Sequence, residues 1–190
     1  MAEHRHSAPH PDVYRLTHRW LVDGPIETVF YYLTHARTFP EWWPVFQEVQ
    51  TDSAEVAVGA HSRFRVRSVL PYRLAWECTV TGLEPPRFLQ LETVVTLGGW
   101  YRLAGPIRFR LSPRDGRVEV LNEQERRAAR PLPGPLRALA ARAFAYNHAR
   151  AMALGERGLQ RAVQAVAANG PPSVHPASSA GDYLRHCRAS

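Results

Sequence analysis

Apolar and polar residues alternate almost without interruption from Ala60 to Arg126, and this alternation constrains the fold of the 190-residue chain more than any other feature. Successive side chains of a β-strand point to opposite faces, so a period of two predicts strands that are buried on one face. The turn sequences GLEPP, LGG and PRDG divide the region into short segments, as is typical of antiparallel hairpins. We therefore predict an antiparallel meander with the strands HSRFRVRSVL, YRLAWECTVTGL, PPRFLQLETVVTL, WYRLAGPIRFRL and RVEVLNEQERRA.

The segment before the meander predicts one further strand and two short helical elements. Val13–Val22 alternates in the same way, and its predicted inward face includes His18. The turn DGP ends this strand, and Pro25 suits the first position of a helix to Leu33, because its missing N–H would have no partner there. The following TFPEWWPVFQEV contains two prolines and several large aromatic side chains. It predicts a short helix or turn that forms a compact aromatic plug.

A single long helix is predicted after the meander. The sequence RPLPGP ends the sheet, and the pattern beyond it predicts a helix of about 30 residues that ends at Ala168. A sheet with one apolar face needs a cover, and this helix is the only apolar element long enough to provide it. The predicted fold class is therefore α+β. Two short helices follow the first strand, and a curved antiparallel sheet of six or seven strands wraps around the long C-terminal helix.

The length of the chain is typical of one domain, which we place at residues 12–168. Segment 1–11 is polar, and segment 169–190 begins with a stretch rich in Pro, Gly and Ser. We expect both terminal segments to be flexible.

The composition excludes several functional classes. All 24 basic residues are arginine, so the chain has no lysine for a Schiff base, for attachment of pyridoxal phosphate or for a Walker phosphate loop. The net charge is +7, but the arginines are spread along the chain, and we expect no nucleic-acid partner. No run of about 18 apolar residues occurs, so we expect no integral membrane segment.

The cysteines and the short motifs also argue against metal or cofactor chemistry. Cys78 lies in a strand-like segment and Cys187 in a polar tail, which does not predict a disulfide framework. We therefore expect a reducing, cytoplasmic compartment. The sequence contains no HExxH, G-x-S-x-G, Cys-x-x-Cys or Gly-rich phosphate loop, so it suggests neither a metal nor another cofactor.

Three stretches resemble a known superfamily. They are RWLVDGPIETVFYYLTHARTFPEWWPVFQEV, VLPYRLAWECTVTGLEPPRFLQLE and FAYNHARAMALGERGLQRAV. The first resembles the initial strand and helix pair of the START-like superfamily, also called SRPBCC or Bet v 1-like, and the second resembles its central hairpin. The third is similar to the C-terminal helix of bacterial members described as polyketide cyclase or dehydrase-like. The resemblance covers residues 12–167 and implies a helix-grip fold, although that fold hosts both enzymes and lipid carriers.

The resemblance implies a deep cavity between the sheet and the long helix, lined by apolar and aromatic groups with a few polar ones. The residues support this independently. Five Trp, seven Tyr and seven Phe are more bulky aromatic residues than a small sheet packed on an Ala-rich helix needs. Small residues on one face of the helix leave volume that the sheet must fill or leave empty, namely Ala140, Ala143, Ala151, Gly155 and Gly158.

Two polar residues interrupt the apolar stripe of the long helix. Steps of three and four from Phe144 place His148 on the stripe, with Asn147 one step around the helix. A buried amide and a buried imidazole need partners, so these side chains either tie the helix to the strands or recognise a ligand at the polar end of the cavity. General acid/base catalysis by His148 is a third interpretation, although no carboxylate adjacent in sequence would orient the imidazole.

Two further candidates lie in the meander. Tyr72 is next to a proline at a strand break, where its phenol could project over the cavity mouth or cap the core as a turn aromatic. If Trp100 and Arg102 share an inward face, the guanidinium could bind an enolate or carboxylate oxygen; otherwise Arg102 is a solvated strand residue.

Two functional hypotheses follow. The favoured one is binding of a hydrophobic small molecule, aromatic or polycyclic and lipid- or polyketide-like. Its candidate ligand-binding residues are Trp43, Phe46, Tyr72, Trp76, Trp100, Arg102, Phe144, Asn147, His148 and Ala151.

The alternative is a polyketide cyclase or dehydrase that catalyses aldol cyclisation or dehydration of a poly-β-ketone. Its candidate catalytic residues are His148, Arg102 and Tyr72. Catalysis would require at least two of these groups to come within about 3 Å of one point, through substrate or water. Strand register, which decides this, cannot be read from one sequence.

Overall fold

A computed structural model describes residues 13–53, 56–68, 73–130 and 134–169. Seven strands make up its sheet: β1 (Val13–Val22), β2 (Phe46–Thr51), β3 (His61–Arg67), β4 (Arg73–Glu84), β5 (Phe88–Leu97), β6 (Tyr101–Arg114) and β7 (Arg117–Ala128). The helices are α1 (Ile26–Thr34), a 3-10 turn (Ala36–Thr38), α2 (Phe39–Trp42) and α3 (Gly134–Asn169). The predicted terminal segments lie almost wholly outside the described residues.

All strand pairs are antiparallel, and the order across the sheet is β1-β7-β6-β5-β4-β3-β2. The long helix α3 contacts β1, α1 and α2. This architecture confirms the predicted α+β helix-grip fold. Helix α3 has 36 residues and is longer than predicted.

Strand β2 corrects the sequence interpretation of TFPEWWPVFQEV as helix or turn throughout. Only its first part forms the 3-10 turn and α2, and the chain becomes extended at Phe46. Trp43 is the C-terminal cap of α2 and has extended backbone angles, as expected for a residue that precedes proline. The remainder pairs with β3 and is the edge strand of the sheet.

The aromatic plug packs tightly between the sheet and α3, where Trp43 and Phe46 meet aromatic side chains of the strands. The rings of Phe64 and Trp76 are stacked 4.9 Å apart, and Phe46 lies 5.0 Å edge-on to Phe64. Trp20 of β1 meets Trp43 edge-on at 5.5 Å. These contacts fill one end of the space under α3, so any cavity must lie farther along the helix towards its N-terminus.

Two glycines of α3 allow the plug to approach the helix. A Cβ at Gly158 would lie 1.7 Å from the carbonyl oxygen of Trp42, and one at Gly155 would lie 2.5 Å from the indole of Trp43. The Trp43 Nε1–H donates a hydrogen bond to the Ala151 carbonyl oxygen at 2.7 Å. At these glycines the volume left by small residues is therefore occupied by tryptophan.

Candidate functional site

A cavity of about 100 Å³, the inner cavity, lies between α3 and the inner face of the sheet. Its wall is mainly apolar. Seven of the ten residues predicted to bind ligand line it: Trp43, Phe46, Trp76, Phe144, Asn147, His148 and Ala151. The polar part of the wall also includes Gln124 and Arg126 of β7.

A second cavity of about 230 Å³ adjoins the first. It is lined by Tyr14, Leu97, Gly98, Trp100, Tyr101, Leu103, Ala140, Ala143 and Phe144. Phe144 borders both cavities, with its ring 5.8 Å from that of Tyr14 and stacked 5.7 Å from that of His148. Phe144 is the one described residue that lines both cavities, so its side chain lies between them.

Arg126 is the buried cation of the site, with only 3% of its surface exposed. Its Nη1 donates to Thr93 Oγ1 and to the Gly105 carbonyl oxygen at 3.1 Å, and its Nη2 donates to Gln124 Oε1 at 2.9 Å. All three acceptors are neutral. Burial lowers the pKa of Arg126 to about 10, with a smaller opposing influence from the charge of Glu92, so the guanidinium stays charged at neutral pH.

Gly105 makes this arrangement possible. Its φ of +143° is unfavourable for other residues, and a Cβ there would lie 2.3 Å from the carbonyl oxygen of Glu125 on β7. The Gly105 carbonyl oxygen also accepts a hydrogen bond from Thr93 Oγ1 at 2.7 Å. A glycine on β6 thus lets β7 approach while its carbonyl oxygen helps to orient Arg126.

A hydrogen-bond chain leads from Arg126 along the inner face of β7. Because a guanidinium can only donate, Gln124 must turn its oxygen towards Arg126, which directs its Nε2 to Asn122 Oδ1 at 2.7 Å. The Asn122 Nδ2 is then left without a protein hydrogen-bond partner, although Asn122 is fully buried. The orientation of both amides follows from the charge of Arg126.

His18 and His148 face each other across the interface between sheet and helix. Their ring centroids are 4.9 Å apart, and each Nε2 is buried without a hydrogen-bond partner among the described residues. Burial lowers the pKa of His148 to about 3, and the neighbouring His18 and Arg126 act in the same direction. Burial also lowers the pKa of His18. Both imidazoles are therefore neutral at neutral pH.

The side chains of Asn147 and His148 differ in their hydrogen bonding. The Ser68 hydroxyl donates to Asn147 Oδ1 at 3.3 Å, which ties α3 to the segment after β3. This contact matches the structural interpretation of Asn147. His148 Nε2 has no hydrogen-bond partner among the described residues, and it is buried from solvent.

Of the two interpretations of Arg102, the structure supports a solvated strand residue, because Trp100 and Arg102 do not share an inward face. Trp100 lies in the turn before β6 and is 73% exposed, and the Arg102 side chain is also exposed. The neighbouring Leu103 is the residue that points into the core. Trp100 borders the outer cavity, whereas Arg102 lines neither cavity. Tyr72 lies outside the described residues.

The sequence interpretation missed the polar residues of β7. Asn122, Gln124 and Arg126 continue the parity of Val118 and Val120, which are buried. That parity was a readable signal that three polar side chains point inwards. What could not be read is their position opposite α3, which depends on pairing β7 with both β1 and β6.

Metal-binding clusters and membrane-spanning helices are absent from the described residues. These residues include no group of three or more His, Cys, Asp or Glu side chains that could hold a metal ion. No helix within the described ranges is long and apolar enough to cross a membrane.

Residues 14–166 match a family described as polyketide cyclase / dehydrase and lipid transport. No curated protein matches the chain in sequence.

Several solved structures have a similar fold. The ZhuI aromatase/cyclase from Streptomyces sp. R1128 is 14% identical with a TM-score of 0.64, and the match covers 84% of this chain and 99% of ZhuI. The di-domain ARO/CYC StfQ from the steffimycin biosynthetic pathway is 11% identical with a TM-score of 0.66, covering 83% of this chain and 53% of StfQ. A START superfamily protein from Mycobacterium smegmatis is 14% identical with a TM-score of 0.56, covering 81% and 98%. At such low identity, these likenesses show the fold alone.

Proposed function

Because the chain belongs to the polyketide cyclase/dehydrase and lipid transport family of the START-like superfamily, we propose that its cavity binds a hydrophobic small molecule. The ligand is aromatic or polycyclic and lipid- or polyketide-like. The observation that carries this proposal is the wall of the inner cavity, where aromatic and aliphatic side chains surround a small group of polar ones. Such a wall is typical of ligand pockets, in which a few polar groups fix the orientation of an apolar body.

The dimensions of the site limit what can bind. The inner cavity of about 100 Å³ is smaller than a cavity of about 150 Å³ that binds benzene, so it suits at most one ring. Together the inner and outer cavities reach the lower end of the usual range for ligand pockets, about 300–1,000 Å³. A polycyclic ligand would therefore have to occupy both cavities and displace Phe144, which lies between them.

A cyclase or dehydrase is the second candidate, and Arg126 and His148 are the residues that favour it. Both line the inner cavity, so a guanidinium that could stabilise an enolate oxygen lies in the same site as an imidazole. In this candidate function, Arg126 takes the role that the sequence analysis gave to Arg102, because the Arg102 side chain is exposed.

The protonation state of His148 argues for binding over catalysis. A general base works best when its pKa is near the operating pH, and burial lowers the pKa of His148 to about 3. Such an imidazole accepts a proton weakly at neutral pH. It is better suited to a hydrogen bond with a ligand than to proton abstraction.

A thermal-shift screen tests the binding function. The panel contains aromatic polyketide-like, isoprenoid and fatty-acyl compounds, and we expect at least one class to raise the melting temperature. Turnover of a model poly-β-ketone is measured in parallel for wild type, His148→Ala, Arg126→Met and Arg102→Ala. Binding without turnover supports the carrier function. Turnover that is lost in the first two variants and kept in Arg102→Ala would establish the cyclase instead.

A further inference from the structure

Arg126 is a buried cation without an anionic partner among the described residues. Its three hydrogen bonds go to a hydroxyl, a backbone carbonyl and a side-chain amide. Proteins rarely bury a charge without an opposite charge nearby, because removing the ion from water has a large cost in free energy. Glu92 is the one acidic group with a noticeable effect on Arg126, but its side chain is exposed.

The cavity wall contains no acidic side chain that could fulfil this role. Among the described lining residues, Arg126 is the one with a full charge. The other polar groups of the lining are Gln124, Asn147, the neutral His148 and the indole N–H groups of Trp43 and Trp76. The electrostatic potential inside the inner cavity is therefore positive. A site of this kind favours an anion and disfavours a cation.

Part of the guanidinium remains available for a ligand. A guanidinium has five N–H groups, and the described hydrogen bonds engage Nη1 twice and Nη2 once. The Nε–H and one Nη2–H have no partner among the described residues. These two nitrogens lie on the same edge of the guanidinium, and a carboxylate can accept hydrogen bonds from both.

His148 lines the same cavity as Arg126. Its buried Nε2 has no hydrogen-bond partner among the described residues, and a neutral imidazole can donate from Nε2 to an oxygen in one of its two tautomers.

We propose that the ligand is a hydrophobic carboxylic acid, whose carboxylate pairs with Arg126 and whose apolar body fills the aromatic part of the inner cavity. A single carboxylate balances the single buried guanidinium. Because Arg126 is already removed from water in the folded protein, the ligand alone loses solvation on its charged end. This inference rests on the proposed ligand-binding function and specifies the chemistry of one end of the ligand.

Matched acids and amides provide the test. Calorimetric titration at pH 7 compares benzoic acid with benzamide, whose single ring suits the inner cavity, and dodecanoic acid with dodecanamide. In each pair the shape is conserved and only the acid is charged. We expect at least one acid to bind about tenfold or more tightly than its amide, as for a charge-assisted hydrogen bond. If neither acid is preferred, including the case in which neither binds, the inference is overturned.

Variants then assign the preference to Arg126. Arg126→Met should reduce the preference of the acid over its amide to about that of an uncharged site. Arg127→Met is the matched control, because Arg127 is the next residue on β7 and points to solvent, where it pairs with Glu125. An unchanged acid preference in folded Arg126→Met would contradict the assignment. If Arg126→Met does not fold, the comparison of acids with amides in wild type decides alone.

The outcomes separate this inference from the proposed function. If the amides bind as tightly as the acids, the inference that the ligand is a carboxylate is wrong, whereas the proposed binding of a hydrophobic ligand still stands. The absence of binding by every compound would count against both.

Discussion

The imidazole rings of His18 and His148 lie 4.9 Å apart, and neither buried Nε2 has a hydrogen-bond partner among the described residues. His18 belongs to β1 and His148 to α3, so the pair lies where the sheet meets the helix. In the sheet, His18 is also paired with Asn122, whose Nδ2 likewise has no partner among those residues. Three orphaned polar atoms therefore lie where β1, β7 and α3 meet, and one of them belongs to His148, which lines the cavity. Such a concentration is expected of a binding site and would be a cost in a purely structural core.

The histidine pair predicts how stability depends on pH. The pKa of His148 is about 3 in the folded protein and near 6.5 in the unfolded chain, so the unfolded chain binds more protons between these values. Stability should therefore fall as the pH decreases below about 6.5, with a slope of up to about 1.4 kcal/mol per pH unit from His148. The lowered pKa of His18 acts in the same direction.

Urea unfolding of wild type and His148→Phe at several pH values between 7 and 4.5 checks this dependence. Carboxylates titrate in both proteins, so the difference between the two curves isolates the imidazole. We expect wild type to lose more stability than the variant on acidification. Parallel curves would show that His148 is not buried in its neutral form.

The glycines of α3 predict a steric effect at one face of the helix. Gly158→Ala should be destabilising by about 1–3 kcal/mol, because its Cβ would overlap the Trp42 carbonyl oxygen and force the plug away. Ala is otherwise favoured over Gly in helices by about 1 kcal/mol, which makes the sign informative. Ala153→Gly, at an exposed position of the same helix, should be destabilising only by this difference in helix propensity, about 1 kcal/mol. Chemical denaturation measures both, and a stabilised Gly158→Ala would contradict the close packing.

The amide chain on β7 predicts non-additive effects. Gln124→Leu removes the acceptor of Arg126 Nη2 and the donor to Asn122, and should cost about 1–3 kcal/mol for each buried group left unpaired. The additional loss when Asn122→Leu is made in that background should be smaller than in wild type, because its partner is already absent. A double-mutant cycle in urea measures the coupling. Additive losses would mean that the two amides do not act as one chain.

Phe144 predicts the size limit of the ligand. Because it borders both cavities, Phe144→Ala should join them and increase the affinity for ligands with three or more rings, relative to single-ring ligands. Tyr146→Ala is the matched control, since Tyr146 is 60% exposed on the same helix. Fluorescence titration with a series of aromatic compounds provides the readout. An unchanged size preference in Phe144→Ala would show that this side chain does not limit the cavity.

The elements with strong local patterns could be predicted from the sequence. The alternation of β7 and the spacing of α3 were sufficient to assign both elements, and His148 was correctly placed on the face of α3 that meets the sheet. Strand β2 was missed because the prolines and tryptophans before it favour turns, and the strand itself is short and mostly exposed. Its extended state depends on pairing with β3, which is a non-local contact.

The assignment of the charged residue failed for a related reason. Arg102 and Arg126 both lie in alternating segments, and the aromatic neighbours of Arg102 suggested that it faces inwards. Trp100, however, belongs to a turn and is exposed, so it gave the wrong parity for β6. Arg126 shares its parity with Val118 and Val120, a signal several residues away. Only strand pairing shows which of two alternating faces meets the helix.

The central claim is that the cavity under α3 is the ligand site, and native mass spectrometry of a cavity-filling variant tests it most directly. Ala151 lines the cavity, whereas Ala149 lies exposed on the same helix, so Ala151→Leu and Ala149→Leu add the same atoms inside and outside the site. The measurement is the fraction of each protein that carries one bound molecule of the best ligand from the thermal-shift screen. We predict a one-to-one complex for wild type and Ala149→Leu and its loss for Ala151→Leu. Equal occupancy in all three proteins would place the ligand elsewhere and contradict the account.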